Sequence, residues 1–143
     1  MRYNDVYGSE VRCDHPEMRD FKKIIAWQKA HALAVRLNDD LNVALFRIRP
    51  ALRSQLLRAI DSVASNIAEG AGKASEAEFG RYLDMALASA RETENHLLLA
   101  RDIGCLDRSV ADVMLVELDE VKRVLIFLRA SGEASRRAPM KAI

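Results

Sequence analysis

The sequence predicts an all-α protein: an antiparallel, up-down-up-down four-helix bundle that assembles as a homo-oligomer. Three observations lead there. Apolar residues recur at three- and four-residue steps through four long segments. The composition, half apolar and 30% charged with six glycines and three prolines, suits helices and leaves few interruptions. The connections between the segments are short, which favours antiparallel neighbours. A chain of 143 residues buries one sizeable core, so a single domain is expected over residues 21–131. A poorly ordered arm at 1–20 and a flexible basic tail at 132–143 flank it, both polar and aperiodic.

The first helix spans about Ile24 to Leu41, with Trp27, Ala30, Ala34, Leu37 and Leu41 on one face, and weakens at Asn38, Asp39 and Asp40. Pro50 opens the second, because a proline in the first turn has its φ preset and gives up no intrahelical hydrogen bond. Leu52, Leu56, Ala59, Val63 and Ile67 form its stripe until Gly70 and Gly72 stop it. Ser75 starts the third with a capping box, its hydroxyl taking the amide of Glu78 while that carboxylate reaches back. Phe79, Leu83, Ala86, Ala90, Leu97 and Ala100 carry the helix to Ile103, a length of roughly 42 Å. Gly104 then supplies the left-handed residue that ends it. Asp107 caps the fourth helix, which runs through Val110, Val113, Val121, Val124 and Leu128 to about Ala130.

Two details go beyond a bundle. Ala86, Ser89, Ala90 and Thr93 are small at inward positions of the third helix, so the second, with Ala59, Val63 and Ala64, is expected to approach it closely. In the fourth helix Val113–Val116 and Val124–Leu128 are apolar at every position, more than one core can absorb. Leu115, Val116, Ile126 and Phe127 are therefore the expected oligomer interface, since exposed apolar surface of this extent marks a contact.

The charges nearly cancel, 22 basic against 21 acidic, so any site for a polyanion must be local. One stretch qualifies. Between Asp40 and Asp61 there is no acid, while Arg47, Arg49, Arg53 and Arg58 are all present, and Lys73 and Arg81 extend the basic shoulder around the next turn. Arginines meet phosphates through charge and paired N–H donors, which makes these six the candidate nucleic-acid contacts. Solvated surface charge and inter-subunit ion pairs compete with that reading, as Glu117, Asp119 and Glu120 make the fourth helix locally acidic.

Within the second helix Ser62, Ser65, Asn66 and Glu69 form a polar strip beside the apolar stripe, with Ser89, Arg91 and Glu92 on the third helix as expected partners. Ser62, Asn66, Glu69, Ser89 and Glu92 are accordingly expected to form a hydrogen-bonded network that sets helix register or a subunit contact. Catalytic signatures are missing: no GxSxG turn, no phosphate-binding glycine loop, and no Cys and His at a recognisable spacing. Glu92 and His96, with Glu69 opposite, make a metal-like trio, but di-metal bundles repeat Glu-x-x-His on two helices and this chain has three histidines in all. No enzyme, no metal and no cofactor are expected. Cys13 and Cys105 without CxxC spacing, and the lack of an apolar N-terminal or membrane-spanning segment, predict a reducing cytoplasm.

The run Ser54-Gln-Leu-Leu-Arg-Ala-Ile-Asp-Ser-Val-Ala-Ser-Asn-Ile-Ala-Glu-Gly70, followed by Gly72, Ser75, Glu78, Phe79, Tyr82 and Leu83, resembles proteins encoded by intervening sequences of bacterial 23S ribosomal RNA genes. Trp27-Gln-Lys-Ala30 upstream, and Arg91, Glu92, Glu94 and Leu97 downstream, belong to the same likeness, which covers about Phe21 to Leu128. Members often carry Pro where Ala64 stands and an aromatic residue where Ala71 stands. The resemblance implies a homopentamer of four-helix protomers with no known catalytic activity. Similar bundles serve diversity-generating retroelements, engaging nucleic acid and a reverse transcriptase. The expected role is thus a non-enzymatic oligomeric scaffold associated with RNA or ribonucleoprotein. The alternative is a module that docks a nucleic-acid-handling protein on the oligomer.

Overall fold

The structure, a computed structural model, describes residues 19–41 and 46–137. A 3-10 turn at Phe21–Lys23 leads into four helices: α1 (Ile25–Asp40), α2 (Pro50–Ala71), α3 (Glu76–Asp102) and α4 (Arg108–Arg137). No strand occurs among the described residues. None of the helices is long and apolar enough to cross a membrane. Most of the expected arm, residues 1–18, and the end of the expected tail, residues 138–143, lie outside the described residues.

Cross-links between helices show their relative direction. Lys29 pairs with Glu120 and Arg36 with Glu117, so residue numbers rise along α1 as they fall along α4. The hydroxyls of Ser62 and Ser89, and the side chains of Glu69 and Tyr82, relate α2 to α3 in the same opposed sense. Lys122 to Glu94 and Arg129 to Asp84 do so for α3 and α4. Neighbouring helices therefore alternate in direction around one core, in which Leu33, Leu37, Leu52, Leu56, Ile60, Ile67, Leu97, Met114, Leu118 and Leu125 are fully buried. Each such side chain contributes about 1.5–3 kcal/mol through removal of its apolar surface from water.

The helix ends follow local chemistry. Ser75 Oγ accepts the amide of Glu78 at 3.1 Å, and only this half of the expected capping box forms among the described residues. At the other end of α3, Gly104 sits at φ +78°. Its amide bonds Arg101 O at 3.2 Å and that of Cys105 bonds Ala100 O at 2.8 Å, the paired closure of a Schellman motif, with Cys105 buried behind it. Asp107 caps α4 through the amides of Ser109 and Val110.

Three points differ from the sequence reading. Gly72 ends α2 as expected, whereas Gly70 lies inside the helix, where its missing side chain leaves room for Tyr82 of α3. Ala64 turns away from α3 and lines the junction with α1. The fourth helix passes its expected end near Ala130 and reaches Arg137, since Ala-Ser-Gly-Glu-Ala-Ser-Arg-Arg contains no proline to stop it.

Two carboxyls titrate below the ordinary carboxylate value of about 4. The hydroxyl of Ser109 and the amides of Val110 and Ser109 favour ionised Asp107, and the Arg101 guanidinium favours ionised Asp102. With native values depressed, their contribution to stability is complete above about pH 4 and is lost as the pH falls through those lowered values. The thermal midpoint should therefore drop on acidification from about pH 5 to about pH 2. It should drop less in Asp107→Asn, whose amide still caps the helix but cannot titrate. Equal slopes in the two proteins would assign the acid sensitivity elsewhere.

Candidate nucleic-acid interface

α2 starts without a side-chain cap and without an acidic residue in its first turn, so the positive end of its dipole is uncompensated there, although Pro50 carries no N–H and the Leu52 amide bonds Arg49 O at 3.1 Å. The turn before it presents Arg47, Ile48 and Arg49, all exposed, above Phe46, which is 1% exposed and anchors the segment in the core. Arg49 N bonds Phe46 O at 3.0 Å, closing this turn. Arg53, half-buried, donates Nε–H to Leu41 O at 3.3 Å and ties the start of α2 to the end of α1. Arg58 is exposed further along the outer surface.

The ion pairs of the described residues lie elsewhere. They join Arg19 to Glu76 on α3, bridge α1 to α4 and α3 to α4, run along α3 and α4, and fill the α3–α4 turn, where Arg101 binds Asp102 and Asp112 while Arg108 binds Asp102. Arg47, Arg49 and Arg58 are exposed and take no ion pair among the described residues. Arg53 also has no acidic partner, but part of its hydrogen-bonding capacity is spent on Leu41 O.

Lys73 and Arg81 do not join this group. Lys73 follows the far end of α2, and Arg81 lies on α3 beside Tyr82, level with Glu69, roughly 30 Å along α2 from Arg49. Lys73 lies 5.3 Å over the Tyr82 ring and Arg81 is exposed. The six-residue shoulder read from the sequence thus divides: Arg47, Arg49 and Arg53 gather at the start of α2, Arg58 lies about 12 Å further along it on a different face from Arg53, and Lys73 and Arg81 lie near the other end.

The polar strip also divides. Ser89 Oγ donates to Ser62 Oγ at 3.0 Å, Asn66 Nδ2 donates to Ser62 O and Oγ at 2.8 and 3.1 Å, and Thr93 Oγ1 donates to Ser89 O at 2.8 Å. These bonds form the half-buried centre of the α2–α3 contact. Glu69 stands apart, accepting the Tyr82 hydroxyl at 3.2 Å. Glu92 is exposed and 3.5 Å from His96 Nε2, while His96 Nδ1 is buried with no hydrogen-bond partner. Arg91 and Ser65 are exposed, and Ser65 bonds only its own helix, at Asp61 O. Glu69 and the Glu92–His96 pair lie at different levels of the bundle. No group of three or more His, Cys, Asp and Glu among the described residues could hold a metal ion.

On α4, Val116 and Phe127 are 71% and 73% exposed and Ile126 is half-exposed, whereas Leu115 is partly buried against the core. The helix turns Val113, Val116, Glu120, Arg123 and Phe127 outward as one ridge. Thr93, read from the sequence as a small inward position of the third helix, is fully buried at this contact, whereas Phe46 was not singled out from the sequence.

The family described as 23S rRNA-intervening sequence protein matches over residues 22–127. This chain belongs to that family. The match covers all four helices apart from the last turns of α4 and excludes both termini. A crystal structure of a protein of unknown function from the S23 ribosomal protein family of Bacteroides thetaiotaomicron is similar, with a TM-score of 0.66 and 25% identity. The similarity covers 73% of this chain and 98% of that one. No curated protein matches. Neither the family's description nor that of the crystal structure names a catalytic activity.

Proposed function

We propose that this chain is a non-enzymatic subunit of a homo-oligomer, a homopentamer on the resemblance of its sequence, that scaffolds structured RNA. The observation that carries this reading is the pair of exposed arginines Arg47 and Arg49 beside the uncapped start of α2, where Arg53 ties the helix to the end of α1, with exposed Arg58 about 12 Å further along the helix and none of Arg47, Arg49 and Arg58 in an ion pair among the described residues. Each offers a planar fork of donors to phosphate, and the helix end adds a positive partial charge. Repetition around an oligomer multiplies a patch that is modest on one subunit. The apolar ridge of α4, too exposed for a finished surface, supports assembly. The family's name makes RNA the polyanion to test first.

Binding of a fluorescent RNA hairpin should weaken steeply as salt rises, because each phosphate contact releases a counterion. The combined Arg47→Ala, Arg49→Ala and Arg58→Ala variant, all at exposed positions, should keep its helicity, bind roughly tenfold or more weakly and show a flatter salt dependence. Affinity at low salt no greater than that of an unrelated neutral protein would end the RNA reading.

A further inference from the structure

The outward ridge of α4 has a counterpart on the opposite side of the same chain. α1 and α2 diverge to leave a groove of about 430 Å³. Its floor is Ala34, Ala64 and Ala68, and one wall is Trp27 stacked on His31, with ring centroids 4.7 Å apart. Asp61 closes one end, exposed and without an ion pair among the described residues. Small side chains on two helices make a surface into which a third helix can set large ones.

We propose that the occupant is a second copy of this chain, which seats its α4 ridge in this groove; the inference rests on the oligomeric reading above and assigns its two faces. Phe127 fills the space over Ala64 and Ala68, beside the Trp27–His31 stack. Arg123, four residues earlier and 79% exposed, meets Asp61. The spacing fits: Arg123 and Phe127 are about 6 Å apart along α4, and Asp61 lies roughly 5–10 Å along α2 from the two alanines. Among the described residues Arg123 pairs with Asp119 alone, on its own helix, and its largely exposed side chain can turn to a carboxylate across the contact.

Ridge and groove are different surfaces of one molecule, so the contact is heterologous and each subunit can use both. Such contacts close into rings when the rotation permits. Two α4 ridges could instead pair antiparallel, Val116 on Phe127 and Glu120 on Arg123, which is an isologous dimer that leaves the groove empty. The two arrangements respond differently to mutation.

Mass by light scattering on the full chain decides. Ala64→Arg fills the groove and leaves the ridge intact, whereas Phe127→Asp spoils the ridge and leaves the groove intact. Each alone should run as a monomer, with self-association weakened at least tenfold. Mixed in equal amounts they should form a one-to-one heterodimer and stop there, because only one good ridge and one good groove remain. Asp61→Arg and Arg123→Asp, both at exposed positions safe for folding, should each weaken assembly, and the double variant should restore it. A wild-type oligomer that survives Ala64→Arg and ignores the charge exchange overturns the groove assignment while leaving self-association standing. A monomeric wild type overturns both.

Discussion

Gly70→Val is expected to destabilise the protein by about 3 kcal/mol and to separate α2 from α3. A Cβ built on Gly70 lies 2.5 Å from Tyr82 Cβ and 3.1 Å from the Phe79 ring. The first of these atoms cannot rotate away, because a Cβ moves only with its backbone, so the two helices must part. Parting them strains the Tyr82–Glu69 and Ser62–Ser89 bonds together. Alanine at the same place shares the clash but regains about 1 kcal/mol of helix propensity, so it should cost less than valine. Gly72→Ala is the control. Its added Cβ would meet only Glu69 O, at 3.5 Å, and urea unfolding should leave it within about 1 kcal/mol of wild type. If Gly70→Val unfolds at the wild-type midpoint, the close α2–α3 approach is not what requires a glycine there.

The same position shows how far the sequence could be read. Periodicity and end signals located the helices because each depends on nearby residues: Ser75 caps the amide three positions on, and Gly104 ends α3 through its own φ. Gly70 looked like another stop, since its real constraint is a tyrosine twelve residues away on a different helix. Small residues on α3 pointed to a tight α2–α3 pairing, but they did not say that Ala64 faces α1 instead. Charge runs were least legible. Glu117 and Glu120 bridge to Arg36 and Lys29, while Arg47, Arg49 and Arg58 take no ion pair among the described residues, and the one-dimensional pattern has no term for which cations meet an acid in space. Likewise Lys73 and Arg81 adjoin the shoulder in sequence only if the length of α2 is ignored.

Phe46→Ala should cost about 3–5 kcal/mol, a large part of the roughly 5–15 kcal/mol that keeps a domain folded. Phe46 is among the largest fully buried side chains, yet it sits outside the helices, in the turn that precedes α2. Its removal leaves a cavity and also frees the segment that carries Arg47 and Arg49. Two readouts should therefore move together. Urea unfolding should shift to a lower midpoint, and RNA affinity, measured well below that midpoint, should fall although no arginine has been removed. Leu118→Ala supplies the comparison: it is equally buried but lies on α4 and not in the segment that carries the arginines, and should lower stability by about 2–5 kcal/mol while leaving RNA binding unchanged. A Phe46→Ala protein that binds as tightly as wild type would mean that the arginines need only be present and not held in place. In that case the uncapped start of α2 would contribute charge to the site without contributing geometry.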